Sequence, residues 1–363
     1  MENRIFHDEV ADLLRVPNGR RGFLRKLVAG SAGAAFSSLV SVDAPSAARN
    51  TGKNESTMID AGISDVSFVT GQDRRDNVYK ALKPFEDEVR RGIKGKRVII
   101  KVNMVGNETP ICATHPDAVR GVLDFLKPIH KGQVHIAEST GRRYNNASGT
   151  MKHFKLYKYF SIQDEFNARL VDLNADTSTV QWVLGKEGRP LDIRIIDTFL
   201  DPDNYIISVC RPKTHNCMVV TMNAKNMLFG APHVDGTRHD KGRMHSAGYK
   251  NMHFNMFQLS QKVHPQLSVV DGVEGMEGNG PTKGTAIEHG VAFAGTDFVA
   301  VDRFGCLLMD VPLEDVGYLT YCSNAGMGQG DLDKINIIGP DPTDYIKTYK
   351  LHERFEAFMV WKK

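Results

Sequence analysis

The chain has 363 residues, enough for one large domain or two medium ones, and its 41% hydrophobic and 25% charged residues are ordinary for a globular protein. A formal net charge of +3 is too small to indicate a nucleic-acid-binding protein. No unbroken apolar run reaches about 18 residues, so we expect no permanent membrane span. The five cysteines form no C-x-x-C pair, which argues against a self-contained iron–sulfur cluster or zinc module.

The amino-terminal segment has the features of an export signal. "RRGFLR" at residues 20–25 resembles the twin-arginine signal, and the mildly apolar run after it ends in "SAA" at Ala48. We therefore predict a signal peptide over residues 1–48, a polar linker over 49–63 and one α/β domain over 64–363. The expected partner of the signal is the twin-arginine translocon, and the expected location is the periplasm or otherwise outside the cytoplasm.

After the linker, short apolar runs alternate with segments of helical period. Folded structure is predicted to begin near "SDVSFVT" at residue 64. Further predicted strands lie at residues 96–104, 133–139, 168–174, 205–210, 266–273, 290–296 and 335–339. Predicted helices lie at residues 116–129, 254–263 and 343–363. This alternation predicts an α/β fold with a doubly wound, mainly parallel sheet and helices on both faces.

Five of the predicted strands end in polar side chains. They are Lys101 and Asn103, Glu138 with Ser139 and Thr140, Asp172 and Asn174, Arg211 with Lys213 and His215, and Asp271 with Glu274 and Glu277. In a parallel sheet the carboxyl ends of the strands lie along one edge, and ligands bind there. We therefore expect these residues, although distant in sequence, to converge on one site. The alternative is that each is only the start of a loop.

Three lysines near strand ends predict a site for a small anionic ligand. Lys101, Lys213 and Lys225 would supply positive charge to a carboxylate or phosphate, and the amide of Asn226 would donate to the same anion. "NAKNMLFG" at residues 223–230 is expected to open a helix whose first amides, with Asn223, add to anion binding. Each lysine taken alone is more commonly a solvated surface group.

The catalytic candidates are Lys213, His215 and Lys225, because a lysine or a histidine can move a proton. Asn103, Thr114 and His115 join Lys101 and Asn226 as substrate-binding candidates. Thr114 and His115 precede a predicted helix, where the alternative is a capping role for Thr114 or Asp117. The polar, glycine-bearing segment 233–245 is expected to close over the site as a mobile loop.

A divalent metal is predicted near the acidic residues. Asp271, Glu274 and Glu277 alternate with glycines, which argues against a helix and for a tight polar loop, and Glu138 ends a neighbouring strand. Several carboxylates in so short a segment suit magnesium, manganese or calcium. The alternative is a solvated acidic loop without a metal.

From about residue 96 to residue 339 the sequence resembles the domain of unknown function 362 family. The matching blocks are "KVN" at 101–103, "THP" at 114–116, "ES" at 138–139, "RPKTHNCMVVTMNAKNMLFG" at 211–230, "DGVEGMEGNGP" at 271–281 and "DFVAVD" at 297–302. The sequence departs from the family pattern by one lysine fewer before Thr214. It also lacks the ferredoxin-like cysteine module that many relatives carry. The resemblance implies a family but no particular reaction.

Together these features lead to three functional hypotheses. The first is an exported, metal-dependent enzyme acting on a small anionic substrate. The second is a redox protein or electron-transfer partner, suggested by the export signal and by the cysteine-bearing relatives. The third is a non-catalytic periplasmic protein that binds a small ligand.

Overall fold

The computed structural model describes residues 61–105, 109–141, 143–144 and 147–362. The predicted signal peptide and most of the predicted linker lie outside these residues, so the organisation of the amino terminus stays a prediction. The strands are β1 (Ser64–Thr70), β2 (Arg97–Lys101), β3 (Val134–Glu138), β4 (Arg143–Tyr144), β5 (Ala147–Ser148), β6 (Ala168–Asp172), β7 (Ser178–Leu184), β8 (Pro190–Ile196), β9 (Asn204–Cys210), β10 (Lys213–His215), β11 (Val219–Thr221), β12 (Leu267–Asn279), β13 (Lys283–Gly295) and β14 (Ile335–Ile338).

Helices connect most of these strands. They are α1 (Arg74–Leu82), α2 (Glu86–Gly92), α3 (Pro116–Leu126), α4 (Thr150–Leu156), α5 (Phe160–Glu165), α6 (Asn223–Leu228), α7 (Asp240–His245), α8 (Tyr249–Ser260), α9 (Phe298–Leu308), α10 (Gly317–Asn324) and α11 (Phe355–Phe358). In the part of the chain that the structure describes, none of the helices has both the length and the apolar character needed to cross a bilayer.

The central sheet has the strand order β14-β1-β13-β12-β9-β2-β3-β6. From β12 to β6 every neighbouring pair is parallel, and so is the pair of β14 and β1. Only β13 runs antiparallel to both of its neighbours. The short strand β10 pairs with β12 and with β11, and it extends the sheet at the carboxyl end of β9. The prediction of a mainly parallel α/β sheet is confirmed.

Both faces of the sheet carry helices, as predicted. Ala292 and Ala294 on β13 belong to the buried cluster that contains the apolar faces of α1, α2 and α3. Phe293, between these alanines, points to the opposite face, because side chains alternate along a strand. There its ring lies 5.3 Å from that of Phe304 on α9.

The glycine-rich segment after Asp271 is not the predicted loop. It continues β12 as far as Asn279 and pairs with β13, with an irregularity between Gly272 and Glu274. Gly278 has a φ of 74°, a conformation that favours glycine, whereas Gly275 allows close approach of another segment. A Cβ on Gly275 would lie 2.2 Å from the hydroxyl of Tyr349.

The predicted carboxyl-terminal helix over residues 343–363 is also wrong. In the described residues only α11 and short 3-10 turns are helical there. The preceding stretch gives its backbone hydrogen bonds to other elements: the amide of Lys347 donates to Leu308 O at 2.9 Å, and the amide of Tyr349 donates to Met309 O at 3.2 Å. Tertiary partners therefore replace the hydrogen bonds that a helix would have made.

Candidate functional site

The carboxyl ends of β2 and β3 meet at a buried ion pair. Lys101 Nζ donates to Glu138 Oε1 at 2.9 Å and to Asn226 Oδ1 at 3.1 Å, and only 1% of Lys101 is exposed. The other carboxylate oxygen of Glu138 accepts the amide of Met104 at 2.6 Å. Because both charges are paired and hydrogen-bonded, this lysine holds the two strand ends together.

Asn103 and Lys213 extend the network towards β10. Asn103 Nδ2 donates to Asn226 Oδ1 at 3.2 Å, and Lys213 Nζ donates to Asn103 Oδ1 and, at 2.8 Å, to Cys112 O. The hydroxyl of Thr114 accepts the amide of Asn103 at 2.9 Å. The structure therefore brings these predicted site residues together with Lys101 and Glu138, as the edge argument expected.

Lys241 belongs to the same network, and sequence reasoning missed it. Its Nζ donates to the carbonyl of Ser139 and, at 3.1 Å, to the hydroxyl of Ser139, whose amide donates to Glu138 Oε1 at 2.7 Å. Lys241 lies in the segment predicted to close over the site as a loop. That segment contains helix α7. The sequence feature that could have identified Lys241 as a site residue was its position in the segment predicted to cover the site.

An ionic network holds α7 against β8. The buried carboxylate of Asp240 pairs with Arg194 at 2.8 Å, with Arg238 at 2.6 Å and with Arg243 at 2.9 Å. Arg238 and Arg243 also pair with Asp192 on β8, at 2.8 and 2.9 Å. Several coupled ion pairs around one buried carboxylate fix a segment more firmly than isolated surface pairs do. This network therefore sets the position of α7, which carries Lys241.

Lys225 differs from the other three buried lysines. Only 8% of the residue is exposed. Its Nζ has no hydrogen-bond acceptor and no carboxylate partner among the residues that the structure describes, whereas the other three lysines have acceptors. The amine lies 4.9 Å from the centre of the Phe229 ring, which packs against the ring of His245 at 4.2 Å. Since His245 is solvent-exposed, this stack runs from the buried amine to the surface.

His215 has one nitrogen that is occupied and one that is available. Its Nδ1 accepts the amides of Cys217 at 3.0 Å and Met218 at 3.2 Å, so the ring proton belongs on Nε2. No acceptor for Nε2–H lies in the described ranges, although only 3% of the residue is exposed. Burial, with a further contribution from the charge of Lys225, holds the pKa of His215 well below its usual range. His215 is therefore neutral with a donor at Nε2–H, and its predicted part in proton transfer stays a prediction.

Helix α6 does begin at Asn223 as predicted, but its first amides are already occupied. The amides of Asn223 and Ala224 donate to the buried carboxylate of Asp302 on α9, at 2.9 and 2.8 Å. Asn223 Nδ2 donates to Asp302 at 3.1 Å, and Asn226 Nδ2 donates to Ser208 Oγ at 3.0 Å. In this structure these donors have acceptors within the protein, and anion binding by them stays a prediction. They position α6, and with it Lys225.

The four carboxylates predicted to hold a metal lie in different surroundings. Glu138 pairs with Lys101, Asp271 pairs with Arg74 at 2.7 Å, and Glu274 pairs with Arg211 at 2.7 Å. Glu277 accepts the amide of Lys350 at 2.9 Å. Over the described ranges no three side chains from His, Cys, Asp and Glu are grouped so that they could hold a metal ion. The metal stays a prediction from the sequence.

His115 caps a helix. Its Nδ1 accepts the amide of Asp117 at 3.1 Å at the start of α3, a role that the sequence analysis had assigned to Thr114 or Asp117 as the alternative. Burial, with help from Arg74 and Arg211, lowers the pKa of His115 to about 4. His115 is therefore neutral and positions α3, and no contact joins it to the lysine network in the described part of the chain.

The site is rich in buried positive charge. Lys101, Lys213, Lys225 and Lys241 are all buried, and only Lys101 has a carboxylate within ion-pair distance in the described residues. Burial lowers the pKa of Lys213 to about 8 and that of Lys225 and Lys241 to about 7. A buried amine without a counter-ion favours its neutral form, and a bound anion would reverse that preference.

Gly230 allows the end of α6 to lie close to Lys101 on β2. A Cβ at this position would lie 2.3 Å from Asn226 O and 2.8 Å from Lys101 Cε. Any other residue at the end of "NAKNMLFG" would therefore push α6 away from β2. The glycine is part of the packing that aligns Asn226 with Lys101.

Two of the solved structures that are similar to this chain illustrate the low level of similarity. The lactate racemase apoprotein from Thermoanaerobacterium thermosaccharolyticum is 15% identical, with a TM-score of 0.37 over 65% of this chain and 54% of that one. A structural-genomics protein from Thermotoga maritima is 10% identical, with a TM-score of 0.38 over 60% of this chain and 55% of that one. At these scores neither similarity bears on the function of this chain.

Sequence comparison relates the chain to a curated protein and to a family. A thylakoid-associated protein of Synechocystis is 27% identical over 216 residues, which are 57% of this chain and 61% of that protein. The chain thus spans about three fifths of the length of the curated relative. The family model described as domain of unknown function (DUF362) matches residues 98–307, which include every member of the lysine network. Since this match covers more than half of the 363 residues, the chain belongs to the DUF362 family.

Proposed function

We propose that this protein is an enzyme that binds a small anion, a carboxylate or a phosphate, between Lys225 and His215. One observation carries the proposal: both residues are buried hydrogen-bond donors, and neither Lys225 Nζ nor His215 Nε2 has an acceptor in the described part of the chain. Neither nitrogen is fully enclosed, so a ligand oxygen can reach both donors and accept hydrogen bonds from them. Phe229, which lies beside the amine, also contacts the exposed residue His245, so the amine lies close to the protein surface.

Proton transfer near neutral pH is the reason to propose an enzyme rather than a binding protein. Burial lowers the pKa of Lys225 and Lys241 to about 7, where an amine can both accept and release a proton. A non-catalytic binding protein would use the same donors, so ligand turnover is the measurement that separates the two. The redox hypothesis rests on the sequence alone, and an absorption spectrum of the purified protein tests it.

Anion binding can be tested by thermal unfolding with oxalate and with inorganic phosphate. A ligand that binds only the folded state adds about 2.7 kcal/mol at 100-fold excess over its Kd. We expect one of these anions to stabilise the wild type. Because a charge-assisted hydrogen bond contributes about 1.5–3 kcal/mol, Lys225→Met should weaken its binding by roughly tenfold or more.

The matched control is Lys250→Met, which changes an exposed lysine on α8. It should bind the anion like the wild type. Equal binding by Lys225→Met, or no stabilisation of the wild type by either anion, would contradict the proposal.

The proposed function also includes a bound divalent metal and export from the cytoplasm. Both of these parts are based on the sequence. Elemental analysis of the purified protein, and thermal unfolding with and without manganese or magnesium, test the metal. If the protein contains no metal and its unfolding temperature does not change when metal is added, the proposed metal dependence is wrong. Anion binding at Lys225 would stand independently of this result.

A further inference from the structure

We propose that Lys225 is a nucleophile that forms an imine with the carbonyl group of a small 2-oxo acid. This inference deepens the proposed function and rests on it, since the carboxylate of the 2-oxo acid is the anion that the site would bind. It adds the substrate class and a covalent step.

The first argument is the contrast among the four buried lysines. Lys101, Lys213 and Lys241 each donate to oxygen atoms of the protein, and these contacts favour the protonated amine, which has no lone pair for a reaction. Lys225 makes no such contact in the described residues, so its nitrogen is free to attack a carbon atom.

The second argument is the surroundings of the amine. The Phe229 ring forms one wall, and the buried position disfavours the ammonium form. The charge of Lys213 lowers the pKa further, although burial is the larger cause. A lysine that is desolvated and lies near another cation is activated as a nucleophile, because a larger fraction of it is unprotonated at neutral pH.

The third argument is the available donor. His215 cannot accept a proton through Nδ1, which already binds two amides, but its Nε2–H can donate a hydrogen bond to the carboxylate of the 2-oxo acid. With the carboxylate held by His215, the fraction of Lys225 that is still neutral attacks the adjacent carbonyl carbon.

The step balances without an additional reactant. The lone pair of Lys225 Nζ forms the C–N bond, and the carbonyl π electrons move to oxygen, which takes one of the amine protons. The carbinolamine then loses this oxygen as water together with the second amine proton. Amine and carbonyl thus give C=N and one water molecule, with no change in oxidation state.

Trapping with pyruvate as the probe tests the inference. Wild-type protein is incubated with pyruvate and sodium cyanoborohydride near pH 7.5, and the modified lysines are identified by peptide mass spectrometry. At this pH an exposed lysine is almost wholly protonated. We therefore expect reductive alkylation of Lys225 to be at least about tenfold faster than that of Lys250, and to be blocked by oxalate, which binds as an anion but forms no imine.

Lys225→Arg separates the covalent step from anion binding, because the guanidinium keeps the charge but is not a nucleophile at this pH. It should bind oxalate and give no adduct at this position. Oxalate binding to the wild type without preferential alkylation of Lys225 would overturn the imine and leave the anion site intact. Absence of both oxalate binding and the adduct would overturn the inference and the proposed function together.

Discussion

The four buried lysines differ in their hydrogen-bond partners. Strand-end reasoning brought Lys101, Asn103, Glu138 and Lys213 to one place, because parallel strands end at one edge of a sheet. It could not distinguish lysines that bind protein oxygens from the one that does not. That difference depends on Glu138, on the carbonyl of Cys112 and on Ser139, whose distances only the fold determines.

Replacing Lys225 by methionine should leave the fold intact at neutral pH. The substitution keeps most of the packing of the stem and removes a buried amine without an acceptor, so we expect stability equal to or above that of the wild type. Denaturant unfolding near pH 7 measures this. A loss of about 3–5 kcal/mol would instead indicate that Lys225 is half of a buried ion pair. Asp271 is not such a partner, because it pairs with Arg74.

The pH dependence of this substitution has a definite sign. The pKa of Lys225 is about 7 in the folded chain, lowered by burial from its ordinary value of 10.5. Between these values the unfolded chain holds a proton that the folded chain has released, so wild-type stability rises with pH. Relative to Lys225→Met, the wild type should gain stability from pH 7 to 10.5 and show no change below pH 7. Parallel pH profiles for the two proteins would contradict this.

At the scale of elements, α6 has no side-chain cap of its own. Its N-cap residue is Met222, and the carboxylate of Asp302 on α9 accepts the first two amides instead. The block "DFVAVD" thus contributes one cap to each of two helices, because Asp297 caps α9 and Asp302 caps α6. The sequence could not predict the second role, since it joins residues about eighty positions apart.

Asp302→Ala should therefore disturb the site from a distance. It leaves two buried backbone donors unsatisfied, at about 1–3 kcal/mol each. It also releases the start of the helix that carries Lys225, so we expect lower stability and weaker oxalate binding together. Asp73→Ala, which removes the cap of α1, is the control and should lower stability alone. Unchanged oxalate binding in folded Asp302→Ala would contradict this role.

Strands were predicted correctly where an apolar run in the sequence lies at a buried position in the sheet. Val98 to Ile100 and Tyr205 to Cys210 are apolar runs that lie in the middle of the sheet, and both were predicted. The glycine-rich half of β12 and the carboxyl-terminal segment were not, because their conformations depend on β13 and on the end of α9. The hairpin of β7 and β8 was also missed, although Val180 and Trp182 alternate with less exposed residues.

At the scale of the whole molecule, the chain combines a DUF362 domain with a predicted export signal. The predicted signal occupies residues 1–48, which lie outside the described residues. The match to the family begins only at residue 98, so the signal is a separate prediction. If the protein is exported in the folded state, its site would already be assembled when it crosses the membrane.

Export is tested by replacing Arg20 and Arg21 together with lysine. We expect the mature form to disappear from the periplasmic fraction and the precursor to accumulate in the cytoplasm, because the paired arginines identify the signal to its translocon. Normal amounts of exported protein in the variant would show that another signal directs it.

The proposed function requires that the amine of Lys225 donates a hydrogen bond to the bound anion. Calorimetric titration with oxalate at pH 8, in buffers of different ionisation enthalpy, measures the protons taken up on binding. Burial lowers the pKa of Lys225 to about 7, so the free amine is largely neutral at pH 8 and an anion beside it will draw a proton. The account predicts proton uptake by the wild type and by Lys250→Met, and clearly less by Lys225→Met. Oxalate binding without proton uptake, or with the same uptake in Lys225→Met, would contradict it.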